Sequence, residues 1–179
     1  CFGLTEPTAG SDAGGLQSEG VVFKDDDGEL KIRFNWNKRW ITLSGISTVI
    51  GLAFLLKDPD QLLGGPKEYG ITCALIPTHT SGVDVSKRHD PLGVPFMNCP
   101  TTGTNVVMPI SCIIGEMDGL GKGWTMLMDC LSAGRGISLP SLSAGGAQAM
   151  VLATSSFGVI RQQFGMSVGQ FEGIEEPMA

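Results

Sequence analysis

Residues 21–36 read VVFKDDDGELKIRFNW, and this stretch decides what the first half of the chain is. Two extended runs, VVFK and LKIRFNW, flank DDDGE, and an Asp-Gly pair between such runs signals a β-hairpin. Working outward, ITCALIP (Ile71–Pro77) is a short apolar run bounded by Gly70 and Pro77, the pattern of a strand buried on both faces. NVVMP and SCIIG follow with Pro or Gly punctuation, so the sequence reads as strands from Val21 to about Gly115.

The β pattern stops at the Gly-rich GEMDGLGKGW. Trp124–Leu131 (WTMLMDCL) is apolar on every side with few β-branched residues, which argues helix. Leu139, Leu142, Ala147, Met150, Val151, Thr154, Phe157 and Ile160 then recur at intervals of three and four, the stripe of a long amphipathic helix. Ser138 reads as its cap, Pro140 fits its first turn and Gly165 ends it. Gly145, Gly146 and Gly158 each cost roughly 1 kcal/mol relative to Ala, so their small size predicts close contact with another helix. VGQFEGIEEPMA starts a second helix, and these apolar faces need partners that this chain does not supply. The fold class expected is α+β, a fragment of a larger chain: an antiparallel, barrel-like β domain over 1–115, then the first helices of an α-helical bundle over 116–179.

The 179 residues are 42% apolar, enough to bury a core, and carry 17% charged residues with a net charge of -6. That balance excludes a basic nucleic-acid surface or a polybasic membrane patch. Cys1, Cys73, Cys99, Cys112 and Cys130 show neither CxxC nor metal spacing, and read as small buried hydrophobes in a reducing compartment. His79 and His89 sit in polar loops with no functional role expected. Trp124, Met126 and Met128 read as core.

Three constellations remain. In CFGLTEPTAGSDAGG (1–15), glycines let backbone approach something closely, Pro7 fixes a bend, and Thr5 and Ser11 leave hydroxyls and N–H groups free for a ligand; taken alone, a structural turn is the simpler reading. In KRWITLSG (38–45), Trp40 and Thr42 are two residues apart on an extended run and so share a face, which suits a flat heteroaromatic ligand. In SAGRG…VIRQQFG, Arg161 reads either as a solvated charge at a helix end or as a phosphate fork beside a stacking Phe164.

In this order CFGLTEPTAGSD, WIT, GRG and RQQFG with FEGIEEPMA resemble the acyl-CoA dehydrogenase family, FAD enzymes that desaturate fatty acyl-CoA thioesters. The tract from WNKRWITLSG to NCPTTG looks most like the large bacterial members of aerobic fatty-acid β-oxidation. The resemblance implies that Thr5 donates to the pyrimidine end of the flavin, with Phe2 and Leu4 lining it. Ser11 would face the flavin pyrophosphate or the thioester, Trp40 would pack on the ring and Thr42 would hydrogen-bond the ring nitrogen that accepts hydride. Arg161 and Phe164 match positions that reach the FAD of a neighbouring subunit, which implies a homodimer or higher homo-oligomer, and Arg135 matches a substrate-side arginine. Some members place the catalytic glutamate just before that arginine; here the residue is Gly134. Asp129 is about 140° away round a helix, so the base is expected outside this sequence and the chain alone is expected to be inactive. Leu43 stands where many members carry Asn.

The function implied is α,β-dehydrogenation of medium- or long-chain fatty acyl-CoA to trans-2-enoyl-CoA, with electrons passed to an electron-transfer flavoprotein. The alternatives are an acyl-CoA oxidase that uses oxygen and a non-catalytic acyl-CoA or flavin-binding protein. The location expected is the bacterial cytoplasm or the inner face of its membrane.

Overall fold

The computed structural model describes residues 1–179, which form two compact units, Cys1–Leu127 and Met128–Ala179. The first is built on one seven-stranded sheet. Its strands are β1 (Phe2–Gly3), β2 (Glu19–Lys24), β3 (Leu30–Thr42), β4 (Val49–Lys57), β5 (Glu68–Pro77), β6 (Val83–Val85) and β7 (Asn98–Pro109).

The expected hairpin is β2 with β3, in register from Glu19 opposite Asn35 to Lys24 opposite Leu30. Its turn closes through the Asp25 carboxylate, which accepts from the N–H groups of Asp27 and Glu29, while Gly28 takes a φ of 82°. β3 runs antiparallel to β7, and β4 to β5. The expected antiparallel pairing fails at β4, which lies parallel to both β1 and β2. The chain leaves β3, reverses through a single 3₁₀ turn at Ser44–Ile46 and returns on the far side of β2. It therefore runs in the direction of β2.

Alternation turns Ile32, Phe34 and Trp36 of β3 inward to meet Ile50, Leu52, Phe54 and Leu56 of β4, with Val22, Ala74, Ile76 and Val106 completing the core. Phe34 and Phe54 meet edge to face with centroids 4.8 Å apart. Gly103 on β7 exists for Trp36: a Cβ there would lie 2.1 Å from the indole.

SCIIG is not a strand. β7 ends at Pro109, which has no N–H to continue the ladder, and Ile110–Cys112 makes a 3₁₀ turn. Ile113 makes an isolated bridge to Ala74 of β5. The segment that follows packs on β5 and belongs to the first unit up to Leu127, whereas the sequence places the boundary at 115/116. Ile114 N–H donates to Cys73 O at 2.9 Å and Gly121 N–H to Thr72 Oγ1 at 3.0 Å. Cys73, Cys99 and Cys112 are buried as expected, but Cys130 is exposed. Trp124 is also exposed, on the solvent side of its helix, with Met126 and Met128 half-buried.

The helices are α1 (Gly123–Ala133), α2 (Leu139–Ile160) and α3 (Glu172–Met178), with a π turn at Gly134–Ser138 between the first two. Ser138 is not a cap: its φ and ψ are helical, and Leu139 N–H bonds to Gly134 O five residues back. The wide turn directly precedes Pro140, whose missing N–H and bulky ring would break a regular ladder. The apolar stripe of α2 is formed but uncovered, with Leu142, Met150, Phe157 and Ile160 between 63% and 77% exposed. Gly145 and Gly146 face open space, so the helix contact expected of them is absent here; Gly158 does pack, against Met178 and Gly169. α2 ends at Ile160 rather than at Gly165. Gly165 instead turns the short hairpin of β8 (Gln162–Gln163) and β9 (Met166–Ser167), at a φ of 82°. No helix is long and apolar enough to cross a membrane.

Candidate functional site

The opening segment is held at three levels. Phe2 lies opposite Gly51 of β4, and its ring fills the place a Cβ at residue 51 would take, 2.7 Å away. Past Gly3 the chain leaves the sheet, and Glu6 and Ala9 exchange backbone hydrogen bonds of 3.0 and 3.3 Å that close the bend at Pro7. The Glu6 carboxylate is buried and accepts from Gln17 N–H at 2.6 Å, Ser18 N–H at 3.0 Å, the Ser18 hydroxyl and Lys38 Nζ at 2.8 Å.

Lys38 is fully buried and also donates to Leu4 O at 3.0 Å. One ammonium thus holds the residues on both sides of Thr5. Burial by itself would push the Glu6 carboxyl up, but Lys38, Ser18 and Gln17 outweigh it and hold the group below its ordinary range. The same burial draws the Lys38 ammonium below its ordinary value, with Glu6 acting against it. A buried charge left without its partner would cost several kcal/mol, so the two groups require one another.

Arg39 N–H donates to Thr5 O at 3.0 Å and joins this segment to β3. Just beyond, the β3–β7 ladder slips between Lys38 and Ile41, and Trp40 takes a left-handed φ of 58°. The regular alternation from which Trp40 and Thr42 share a face is therefore broken, because a bulge re-aims the residue it contains. Trp40 is half exposed. Its ring stacks on His89, centroids 3.9 Å apart at 30°, and its N–H donates to His89 Nε2 at 3.2 Å. Thr42 is exposed and pairs in register with Asn98, whose buried Oδ1 has no hydrogen-bond partner.

Leu4, Thr5 and the Trp40–Thr42 segment are thus brought together, with Phe2 on the strand that leads in. Ser11 is exposed on the outer part of the same loop. Arg135, Arg161 and Phe164 belong to the second unit. Arg135 is exposed in the π turn, and Arg161 directly follows α2, its N–H bonded to Phe157 O. Phe164 is 94% exposed and meets Phe171 edge-on with centroids 6.2 Å apart.

Sequence reasoning missed Glu6, Ser18, Lys38 and His89. Lys38 had a readable signal: it continues the inward series Ile32, Phe34, Trp36, and a charge in such a series demands a buried partner. His89 had none, since only the folded loop brings it to Trp40.

Residues 1–106 match the family described as acyl-CoA dehydrogenase, middle domain. The chain is 54% identical over 101 residues to Protein HemX of Proteus mirabilis, an overlap of 56% of this chain and 59% of that protein. It is 32% identical over 180 residues to the probable acyl-CoA dehydrogenase YngJ of Bacillus subtilis, covering 99% of this chain and 43% of the relative. Its fold superposes with a TM-score of 0.78 on the acyl-CoA dehydrogenase complexed with FAD from Bacillus anthracis, at 24% identity over 99% of this chain and 28% of that one. The chain thus spans less than two thirds of the length of each of these proteins. With a family match over residues 1–106, more than half its length, the chain belongs to the acyl-CoA dehydrogenase family.

Proposed function

We propose that this chain provides the flavin cradle of an FAD-dependent acyl-CoA dehydrogenase acting on medium- to long-chain fatty acyl-CoA, with an electron-transfer flavoprotein as electron acceptor. The observation that carries the reading is the Arg39–Thr5 hydrogen bond of 3.0 Å above the buried Glu6–Lys38 pair, which sets two distant motifs side by side. The residues fit a flavin: an aromatic face at Trp40, hydroxyls at Thr5 and Thr42, and an unmet buried acceptor, Asn98 Oδ1, at the position paired with Thr42.

Bound there, FAD supplies the two-electron acceptor for hydride leaving the β carbon of the thioester. The chain's own part is preorganisation. The Thr5 N–H and hydroxyl form a donor pair for a ring edge that gains negative charge, and Lys38 keeps that segment from moving as the charge develops. Trp40 would shield the ring face from water, and Thr42 would offer its hydroxyl to the ring nitrogen. Ser11 would face the thioester or the pyrophosphate, Arg135 would bind substrate, and Arg161 and Phe164 would reach the FAD of a neighbouring subunit.

Removal of the α proton needs a carboxylate free to accept it. Glu6 is not that group, since it is buried and saturated by donors. Gly134 precedes Arg135, and the base comes from sequence beyond this chain.

The test uses the full-length natural protein that carries this sequence. It should purify with a flavin absorption band that bleaches when a saturated acyl-CoA of eight to sixteen carbons, roughly the range the resemblance implies, is added without oxygen. Slow reoxidation in air and fast reoxidation by an electron-transfer flavoprotein mark a dehydrogenase. A protein with no flavin sinks the reading, and one whose flavin stays oxidised with every chain length sinks the substrate.

A further inference from the structure

We infer that His89 is a positioning residue for the flavin: it holds Trp40 in its left-handed bulge by accepting the Trp40 N–H and stacking on the indole. This rests on the reading of Trp40 as the flavin's packing partner.

The bulge needs such a device. A non-glycine residue at a φ of 58° sits in a sparsely populated region, and Trp40 has no ladder bond there to keep it, since the register with β7 is interrupted between Lys38 and Ile41. Its N–H is met instead by His89 Nε2 at 3.2 Å, and one face of the ring by the imidazole at 3.9 Å between centroids. An acceptor role requires neutral imidazole with its proton on Nδ1. Burial, with the Arg39 guanidinium second, pushes the His89 pKa down, which keeps that form. The charged groups around it are Arg39 on β3 and, on its own loop, Arg88 and Asp90, which pair at 3.9 Å.

His89 is itself anchored to the site. Its N–H donates to Asn98 O at 2.7 Å, and Asn98 is the register partner of Thr42. Leu43 N–H donates to Met97 O on the same loop. The loop from 86 to 97 thus ties Trp40 and Leu43, and through Asn98 also Thr42, into one unit, with Trp40 52% exposed and the Arg39 guanidinium 5.6 Å from its ring centroid.

The two contacts can be separated in the full-length holoprotein. His89→Phe keeps the stack and removes the acceptor, His89→Gln keeps an acceptor and removes the ring, and His89→Ala removes both. FAD affinity after removal and readdition of the cofactor should weaken about five- to tenfold in His89→Ala, with each single-feature variant between it and the native protein. The visible circular dichroism of the bound flavin should change in His89→Ala while the thermal midpoint of the apoprotein moves little.

Unchanged affinity and dichroism in all three variants would overturn the assignment. Tighter FAD binding by His89→Ala would also overturn it, since the imidazole would then occupy the flavin's place. Trp40→Ala and Thr42→Val separate the two levels: if they too leave flavin binding unchanged, the cradle reading fails as well. If they weaken it while His89 variants do not, only the positioning role fails.

Discussion

Lys38 and Leu43 show how much of this site rests on single residues whose local choice looks wrong. Lys38 puts an ammonium where the β3 alternation calls for an apolar side chain, and it is tolerated because Glu6 and Leu4 O meet it. Lys38→Met strands the Glu6 carboxylate, and urea unfolding should show a loss of about 3–5 kcal/mol, with much of it recovered when Glu6→Gln is added. The pH dependence follows from Glu6. Its folded pKa lies below the ordinary 4.5, so its contribution is complete above that value and is lost as pH falls below it. A fall in the thermal midpoint below pH 4.5 that is smaller in Glu6→Gln is the expected result. Leu43 holds a left-handed φ of 64°, a conformation that favours Asn and Gly. Leu43→Asn should therefore stabilise the protein by roughly 0.5–1 kcal/mol in the same assay.

At the scale of elements, the register of β3 against β7 sets the site. Trp36 is seated on Gly103, and beyond it the ladder slips to make the bulge at Trp40. Gly103→Ala would drive a methyl group into the indole and should cost about 1–3 kcal/mol, with the emission of the buried Trp36 shifting to longer wavelength. The hairpin of β2 and β3 was legible because Asp-Gly and period-two alternation are local signals. The bulge was not, since nothing in KRWITLSG by itself says where a ladder to β7 will slip. The same holds for Ser138: its residue type suits a cap, but the chain runs on through a π turn, and only the fit of Pro140 into the continuous helix reveals why.

For the whole molecule, the exposed stripe of α2 makes a direct prediction. The 179-residue chain by itself should enhance the fluorescence of a dye that binds apolar surface, should aggregate at micromolar concentration and should turn over no acyl-CoA. The full-length protein should do none of the first two. Local sequence determined the two-part plan, a β half and a helical half, and through ordered motifs it determined the family. The resemblance it carries named Thr5, Trp40 and Thr42 as candidates for the site, while the shared face expected of Trp40 and Thr42 gave way to the bulge. Tertiary structure alone decided that β4 runs parallel to β2, that Glu6 and Lys38 form one buried unit, and that His89 meets Trp40. Each of these joins residues far apart in the chain, and the energy that selects them is burial and hydrogen bonding between segments, which exists only once the sheet has closed around its core.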